Sequence, residues 1–252
     1  MTLRQAQDKP PIYEPGSPEP LNIWYCYKGG KLGNELPSFF DNAQWDWVKN
    51  GEAQFSVFKN EIEALLTKKN NLLEPYFNSS LVGSGKWEVL DFFFWTKKNN
   101  TNCDACPELS KWFATIPGLT SAGVSRLSPN SEIKPHPGDT NGIARCHFGI
   151  SIPAGLPDCG IMVNGESRAW EEGKIISFCD AYVHSAWNRT DQFRYIMIID
   201  VILPRFIDQQ KEITANVHSF LRLQDLIERK PWVGKLPGFM LGVIRNTYKR
   251  KS

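Results

Sequence analysis

The sequence predicts a mainly β protein, an antiparallel double-sheet barrel of the jelly-roll type with helices on either side. Between about residues 120 and 205, short apolar segments alternate with frequent turn signals. No helical pattern separates these segments, which argues against a parallel α/β sheet. The segments that flank this region repeat their apolar residues at helical spacing. These observations together favour a β barrel between helical flanks.

The first part of the chain predicts an arm and then helices. Residues 1–20 contain five prolines and few apolar residues, so we expect an extended or disordered arm. Residues 38–70 are expected to be helical, because apolar residues recur there at steps of three and four. These residues are Phe55, Phe58, Ile62 and Leu65. We expect 21–205 to form one domain that includes this helical part.

A strand and a short helix are predicted next. The apolar run "KWEVLDFFFW" at 86–95 is typical of a buried strand. The segment 106–119 predicts a helix that has Pro107 near its start and is ended by Pro117 and Gly118.

The barrel strands follow. In "ARCHFGISIP", Arg145 and His147 alternate with apolar residues, so both are expected on one face. Asn164 and Gly165 predict a hairpin turn. "GKIISFCDAYVHSAW" and "QFRYIMIIDVILP" are interpreted as two strands that pair as a hairpin across "NRTD". A helix is expected over about 208–229, and the domain boundary at 206 separates this helix and a basic tail from the barrel.

Composition excludes several classes of protein. A hydrophobic share of 41% and a charged share of 22% are ordinary for a globular chain of 252 residues. The net charge of +2 argues against a nucleic-acid partner. No signal peptide or membrane span is recognisable, so we expect a cytoplasmic protein whose six cysteines are reduced.

The basic end of the chain has two interpretations. Its last 24 residues contain seven basic residues and no acid, mixed with apolar side chains. These apolar residues either pack on the barrel or form an interfacial segment, over 230–252, that contacts anionic lipid.

Polar residues that are suited to metal and anion binding converge on one barrel mouth. They are His136, Arg145, His147, His184 and Arg194. Imidazole suits Fe(II) in oxygenases that leave coordination positions open. Arginine binds the carboxylates of an oxoacid cosubstrate such as 2-oxoglutarate. The spacing alone leaves a structural role for the histidines open, and jelly rolls also serve as plain binding modules. His218, in the C-terminal helix, is assigned no role.

The segment from "CPELSKWFATIPGL" to Pro204 resembles the aspartyl/asparaginyl β-hydroxylase family of Fe(II)/2-oxoglutarate dioxygenases. The resemblance covers an ordered set of motifs: Ser125, the Pro-His loop, Thr-Asn, Arg-x-His, Trp-Glu-x-Gly, Phe-x-Asp, His and Phe-Arg. It implies a double-stranded β-helix of the cupin-like jelly-roll type. It also implies Fe(II), 2-oxoglutarate and O2 as cofactors.

The resemblance implies that His136 and His184 bind the iron without a carboxylate, because Gly138 stands where other oxygenases place one. By the same likeness, 2-oxoglutarate is held by Arg194 with Ser125, and by Arg145 with His147.

Other residues are given weaker roles. Asp139, Asn141 and Trp187 are expected to face the substrate or to support the iron site. Trp170 and Glu171 are expected to be structural. We also favour a structural role for Asp180 over one that orients His184. The pair Cys103 and Cys106 is too small a set for a zinc site.

The expected reaction is hydroxylation of an unactivated C–H bond in an amino-acid, peptide or lipid substrate, with release of succinate and CO2. One alternative is a radical halogenase that binds halide at the position left vacant by Gly138. Another is a non-catalytic jelly-roll binding module.

Overall fold

The computed structural model describes residues 22–29, 32–33, 36–68 and 72–250. The predicted arm at 1–20 lies outside the described residues.

Six α-helices and twelve strands are found in the described part of the chain. The helices are α1 Asp46–Ala53, α2 Phe55–Lys68, α3 Asn100–Ala105, α4 Pro107–Phe113, α5 Gln210–Arg229 and α6 Gly238–Lys249. The strands are β1 Glu74–Pro75, β2 Val82–Ser84, β3 Trp87–Phe94, β4 Lys97–Lys98, β5 Leu119–Leu127, β6 Ser131–His136, β7 Ile143–Ser151, β8 Cys159–Val163, β9 Glu166–Arg168, β10 Ile175–Cys179, β11 His184–Asn188 and β12 Arg194–Ile202.

The strands form two antiparallel sheets. The large sheet has the order β1-β3-β5-β12-β7-β10, with β4 beside β3, and the small sheet has the order β2-β6-β11-β8-β9. Apolar side chains from both sheets, including Leu127, Ile161 and Ile196, form one core cluster between them. The predicted fold class is confirmed: the chain is a mainly β jelly roll, or double-stranded β-helix, with flanking helices.

A second core covers the outer face of the large sheet. Helix residues such as Ile62, Trp112 and Val217 pack there against Phe148 of β7 and Ile199 of β12. Because side chains alternate along a strand, this packing turns the residues between them toward the barrel interior. The alternation predicted for β7 is therefore confirmed, and it places Arg145 and His147 on the inner face.

The predicted long strand that ends in His184 is wrong. It is two strands, β10 and β11, which are joined by a turn over 180–183 and belong to different sheets. The predicted hairpin is wrong for the same reason, because β11 pairs with β6 and β8 whereas β12 pairs with β5 and β7. The chain crosses the barrel at each of these connections, so His184 and Arg194 lie on opposite sheets.

Helix predictions were correct in position but not always in extent. The helical stretch at 38–70 divides at Gln54 into α1 and α2. The segment at 106–119 is helical only up to Phe113, and β5 begins at Leu119. The predicted helix at 208–229 is confirmed as α5. The predicted turn at Asn164 and Gly165 is confirmed, since both residues have positive φ, as a tight hairpin requires.

Candidate metal and cosubstrate site

Two histidines on neighbouring strands of the small sheet face each other. His136 ends β6 and His184 begins β11, where they are cross-strand partners. Their ring centres are 4.4 Å apart. His136 Nδ1 lies 2.7 Å from the carbonyl oxygen of Lys134, and His184 Nδ1 lies 2.9 Å from that of Tyr182. Each Nδ1–H can donate to its carbonyl, which leaves both Nε2 lone pairs for a metal ion.

Both rings are held in the neutral state that a metal ligand needs. Burial lowers the pKa of His136 below its ordinary value. Burial, followed by the positive charges of His136 and Arg145, puts the pKa of His184 well below its ordinary value.

Gly138 leaves room for the carboxylate of another residue. A Cβ atom added to Gly138 would lie 1.9 Å from Oδ2 of Asp180 and 2.4 Å from Oδ1. The Asp180 carboxylate, which follows β10, thus fills the space beside the histidine loop. It lies 3.9 Å from His184 Nε2, and its Oδ2 accepts a hydrogen bond from the backbone N–H of Asp139. Its Oδ1 lies 2.7 Å from Nη1 of Arg145, with which it forms an ion pair.

Arg145 is paired with two carboxylates. Its Nε and Nη2 donate to the two oxygens of Asp200 at 2.8 and 2.9 Å. Its Nη1 lies 2.7 Å from Oδ1 of Asp180. The predicted contact of Arg145 with the cosubstrate stays a prediction, and the structure shows in addition that Arg145 links β7 to Asp180 and to β12.

Arg194 is buried, and no carboxylate pairs with it in the part of the chain that the structure describes. Its side chain is 1% exposed, and its Nε and Nη1 have no hydrogen-bond partner in the described residues. Its guanidinium lies 4.8 Å from the ring centre of Trp170. Burial lowers the pKa of Arg194 to about 10. An unpaired buried charge is costly, so this side chain is suited to receive an anion.

His147 and Ser125 lie on the same inner face of the large sheet as Arg194. Trp170 Nε1 donates to His147 Nδ1 at 3.2 Å, so the proton of the neutral ring is on Nε2, which can donate to a ligand. Burial, followed by the charges of Arg145 and Arg194, lowers the pKa of His147 well below its ordinary value. Ser125 accepts a hydrogen bond from Trp87 Nε1 at 3.0 Å and keeps its own O–H to donate.

The weaker predictions differ in where their residues lie. Asp139 borders both the site and a cavity. Asn141 accepts from the backbone N–H of Trp24 at 2.8 Å and donates to the carbonyl of Asn22 at 3.3 Å, so it holds the N-terminal segment over the site. Trp187 alternates with the buried Ala186 along β11 and donates to the carbonyl of Pro157. It therefore lies on the opposite face of β11 from His184, and its role toward substrate stays a prediction.

A cavity of about 590 Å³ leads away from this site. Its inner end is lined by Asp139, Arg145 and Ser125. Its walls include aromatic side chains such as Phe93 of β3 and Tyr76, which directly follows β1. Its outer end is bordered by charged residues of both signs. These are Glu74, Arg222, Asp225 and Arg229.

The donor set suits a two-histidine metal site. No group of three or more His, Cys, Asp or Glu side chains is arranged for a metal ion within the described ranges. The two free Nε2 atoms fit Fe(II), and the unpaired Arg194 fits a carboxylate of an oxoacid. The fold and this site define a jelly-roll protein with paired imidazoles and a buried arginine whose Nε and Nη1 have no hydrogen-bond partner in the described residues.

Comparison with known proteins gives the family. The aspartyl/asparaginyl beta-hydroxylase family model matches residues 52–204, so the chain belongs to that family, as its motifs predicted. It is a member of a hydroxylase family, and its two antiparallel sheets form a jelly roll.

Two relatives show how far the similarity extends. An ornithine lipid ester-linked acyl 2-hydroxylase of Rhizobium tropici is 30% identical over 86% of this chain and 78% of its own length. The aspartyl/asparaginyl beta-hydroxylase of Homo sapiens is 29% identical over 65% of this chain, but the match spans only 22% of the human protein. A 2OG-Fe(II) oxygenase family structure from Burkholderia pseudomallei covers 62% of this chain and 90% of its own, with 12% identity and a TM-score of 0.42.

Proposed function

We propose that this protein is an Fe(II)- and 2-oxoglutarate-dependent dioxygenase that hydroxylates an unactivated C–H bond and releases succinate and CO2. The observation that carries the proposal is the pairing of two site halves in one barrel. One half is the neutral imidazole pair His136 and His184. The other is the fully buried Arg194, which has unpaired donors.

The iron site would consist of His136 Nε2 and His184 Nε2. Bound Fe(II) would supply the activation of O2, while the protein supplies position and charge. The Asp180 carboxylate lies beside this pair, with Oδ1 3.9 Å from His184 Nε2 and 2.7 Å from Arg145 Nη1. We assign to Asp180 the role of orienting a water molecule at the iron site.

The cosubstrate would lie between the two sheets. Arg194 receives its distal carboxylate through two parallel hydrogen bonds, and the Ser125 hydroxyl donates to the same group. The Nε2–H of His147 donates to its proximal end. Trp170 holds both partners, because it donates to His147 and stacks near Arg194.

An acyl chain of a lipid is the substrate class that we favour over a free amino acid or a peptide. A relative that matches most of this chain is named as an acyl 2-hydroxylase of ornithine lipid. The cavity combines an aromatic wall with a rim of mixed charge. Such a cavity fits an apolar chain that ends in a zwitterionic amino-acid headgroup.

Turnover of a lipid substrate tests the proposal. Iron-loaded protein with 2-oxoglutarate and ornithine lipid should form one succinate per hydroxylated lipid, whose mass rises by one oxygen. His136→Ala and His184→Ala should lose both iron and activity. Cosubstrate binding without lipid turnover would favour an amino-acid or peptide substrate, and the absence of cosubstrate binding would favour a binding module.

Radical halogenation is the less favoured alternative. The Asp180 carboxylate lies beside Gly138, and its negative charge would oppose a halide held near that position. Turnover in bromide buffer should therefore give the hydroxylated product alone. A product that carries bromine would contradict the hydroxylase assignment.

A further inference from the structure

The C-terminal segment after α5 presents an unusual surface. A 3-10 turn over Pro231–Lys235 and then α6 follow α5. We use the name terminal hairpin for residues 231–250. No residue of α6 is buried, and the four apolar side chains with the largest exposure in the hairpin are Trp232 at 60%, Phe239 at 75%, Met240 at 39% and Val243 at 63%.

One face of α6 is used for packing and the other is not. Arg245 Nε lies 3.3 Å from Ser219 Oγ, and Lys249 Nζ donates to Asn216 Oδ1 at 2.7 Å. These contacts attach α6 to α5, with Leu241 and Ile244 half-buried. Phe239 and Val243 are four residues apart and so lie together on the face that remains exposed. The earlier interpretation that all the tail's apolar residues pack on the barrel is therefore wrong for this face.

The charge of the terminal hairpin is of one sign. From Arg229 to Ser252 the sequence has seven basic residues and no acid. Lys230, Lys235 and Arg250 are exposed. An exposed aromatic and aliphatic face beside solvent-accessible basic residues is the pattern of helices that lie in the interface of a membrane.

The hairpin lies at the same end of the molecule as the outer rim of the cavity. Because Arg245 contacts Ser219 and Lys249 contacts Asn216, α6 runs antiparallel to α5. Its first turn, with Phe239, therefore lies beside the second half of α5. That half of α5 also carries Arg222 and Arg229 at the rim.

We propose that the terminal hairpin docks on the surface of an anionic lipid bilayer, with Trp232, Phe239, Met240 and Val243 inserted at the interface. The exposed lysines and Arg250 contact lipid phosphates. Docking holds the outer rim of the cavity next to the bilayer. No helix in the described part of the chain has the length and hydropathy for a membrane crossing.

Vesicle co-sedimentation of the full chain tests the proposal. The chain should pellet with vesicles of phosphatidylcholine mixed with phosphatidylglycerol in low salt, and high salt should release it, because screening weakens attraction between exposed charges. Phosphatidylcholine vesicles should retain far less protein. Phe239→Ser with Val243→Ser should reduce the bound fraction at least tenfold. The matched control Val57→Ser with Leu156→Ser alters side chains of 42% and 45% exposure elsewhere and should bind as the unmodified chain does.

The charge contribution has its own variant. Lys230→Gln, Lys235→Gln and Arg250→Gln together should weaken partitioning roughly a hundredfold, since each basic residue near an anionic surface contributes a factor of about five. The control variant carries three substitutions elsewhere on the surface, and its partitioning should be close to that of the unmodified chain. These substitutions are Lys49→Gln, Lys68→Gln and Lys211→Gln. Circular dichroism shows whether each variant is folded.

Three results would overturn the proposal. One is failure of the unmodified chain to pellet with anionic vesicles. Another is equal binding of the hairpin variants and their controls. The third is a homodimer in light scattering that Phe239→Ser disrupts while vesicle binding is absent, which would assign the face to a second copy of the chain.

Discussion

At the scale of single residues, the site is defined by groups whose usual partners are absent or unusual. Among the described residues, Arg194 is buried without a carboxylate partner, whereas Arg145 on the neighbouring strand has two. Gly138 lacks a side chain, and the carboxylate of Asp180 lies in the space that one would fill. Neither relation was predictable from sequence spacing, because residues 35 to 55 positions apart form these contacts.

Replacement of Arg194 should separate stability from ligand binding. Arg194→Met removes an uncompensated buried cation, so the free energy of unfolding of the ligand-free protein should rise by about 1–4 kcal/mol. Affinity for 2-oxoglutarate in the metal-loaded protein should fall by roughly 2–5 kcal/mol. Thermal melting with and without cosubstrate measures both effects. The control is Arg126→Met, at a residue paired with Glu88, and it should keep the rise in melting temperature that the cosubstrate causes. If Arg194→Met also kept this rise, Arg194 would not be the residue that binds the cosubstrate carboxylate.

Gly138 offers a direct test of its neighbour. Gly138→Ala places a methyl group against the Asp180 carboxylate, and we expect a loss of about 1–3 kcal/mol in the free energy of unfolding. In the background Asp180→Gly the same change should cost little, so a double-mutant cycle should give a coupling of at least about 1 kcal/mol. Urea unfolding measures this. Additive losses would mean that the two residues do not compete for space.

Asp139 should make the stability of the metal-free protein depend on pH. Burial, followed by the charge of Asp180, raises the pKa of Asp139 to about 7. In the unfolded chain the pKa is about 4, so this carboxyl stabilises the fold below pH 4 and the contribution is lost as pH rises to 7. The free energy of unfolding of Asp139→Asn should therefore exceed that of the unmodified protein by at least about 1 kcal/mol at pH 8. The difference between the two free energies should be smaller near pH 4. A difference that is constant with pH would contradict this.

At the scale of elements, each sheet carries a different part of the candidate site. His136 and His184 belong to the small sheet, whereas Ser125, His147 and Arg194 belong to the large one. The alternation of β7 could be predicted because the two-residue period is a local property. The crossing between β10 and β11 could not, because the apolar pattern continues through the turn at 180–183 and only pairing with distant strands separates the two.

The turn between β3 and β4 holds two side chains in a strained backbone region. Trp95 and Thr96 have φ values of 45° and 69°, which β-branched residues avoid. Thr96→Gly should raise the free energy of unfolding by about 1 kcal/mol, because glycine relieves this strain. Thr67→Gly, in α2, should lower it by a few tenths to about 1 kcal/mol. Thermal or urea unfolding distinguishes the two, and a loss at Thr96 would show that its side-chain contacts outweigh the strain.

At the scale of the whole molecule, the cavity extends from Ser125, Asp139 and Arg145, which border the barrel site, to the second half of α5. The outer rim has two acidic and two basic residues, which suits a zwitterionic headgroup. The sequence alone could not indicate this cavity, since its walls come from β1, β3, β5 and α5. The motifs that bind metal and cosubstrate lie on short, ordered segments and were therefore easier to recognise.

We expect the charged outer rim of the cavity to determine the affinity for lipid without changing the affinity for 2-oxoglutarate. Arg222→Ala with Arg229→Ala should raise the KM for ornithine lipid by roughly 5–30-fold, as expected for about 1 kcal/mol per lost charge contact. The Kd for 2-oxoglutarate should not change. Steady-state kinetics and calorimetry measure the two constants, and Lys68→Ala with Lys211→Ala is the control. An unchanged KM would remove the rim from substrate recognition.

The division of the site between two sheets has a consequence for damaged copies of the protein. Under the proposed roles, the position of the two iron-binding histidines depends only on the pairing of β6 with β11. Hydroxylation also needs Arg194 at the correct distance across the barrel. A copy whose sheets have separated could still bind iron at the two histidines, but Arg194 would no longer hold the cosubstrate across the barrel from it. Under the proposed roles, the coupled consumption of 2-oxoglutarate and oxygen would therefore require an intact barrel, whereas iron binding would require only the small sheet.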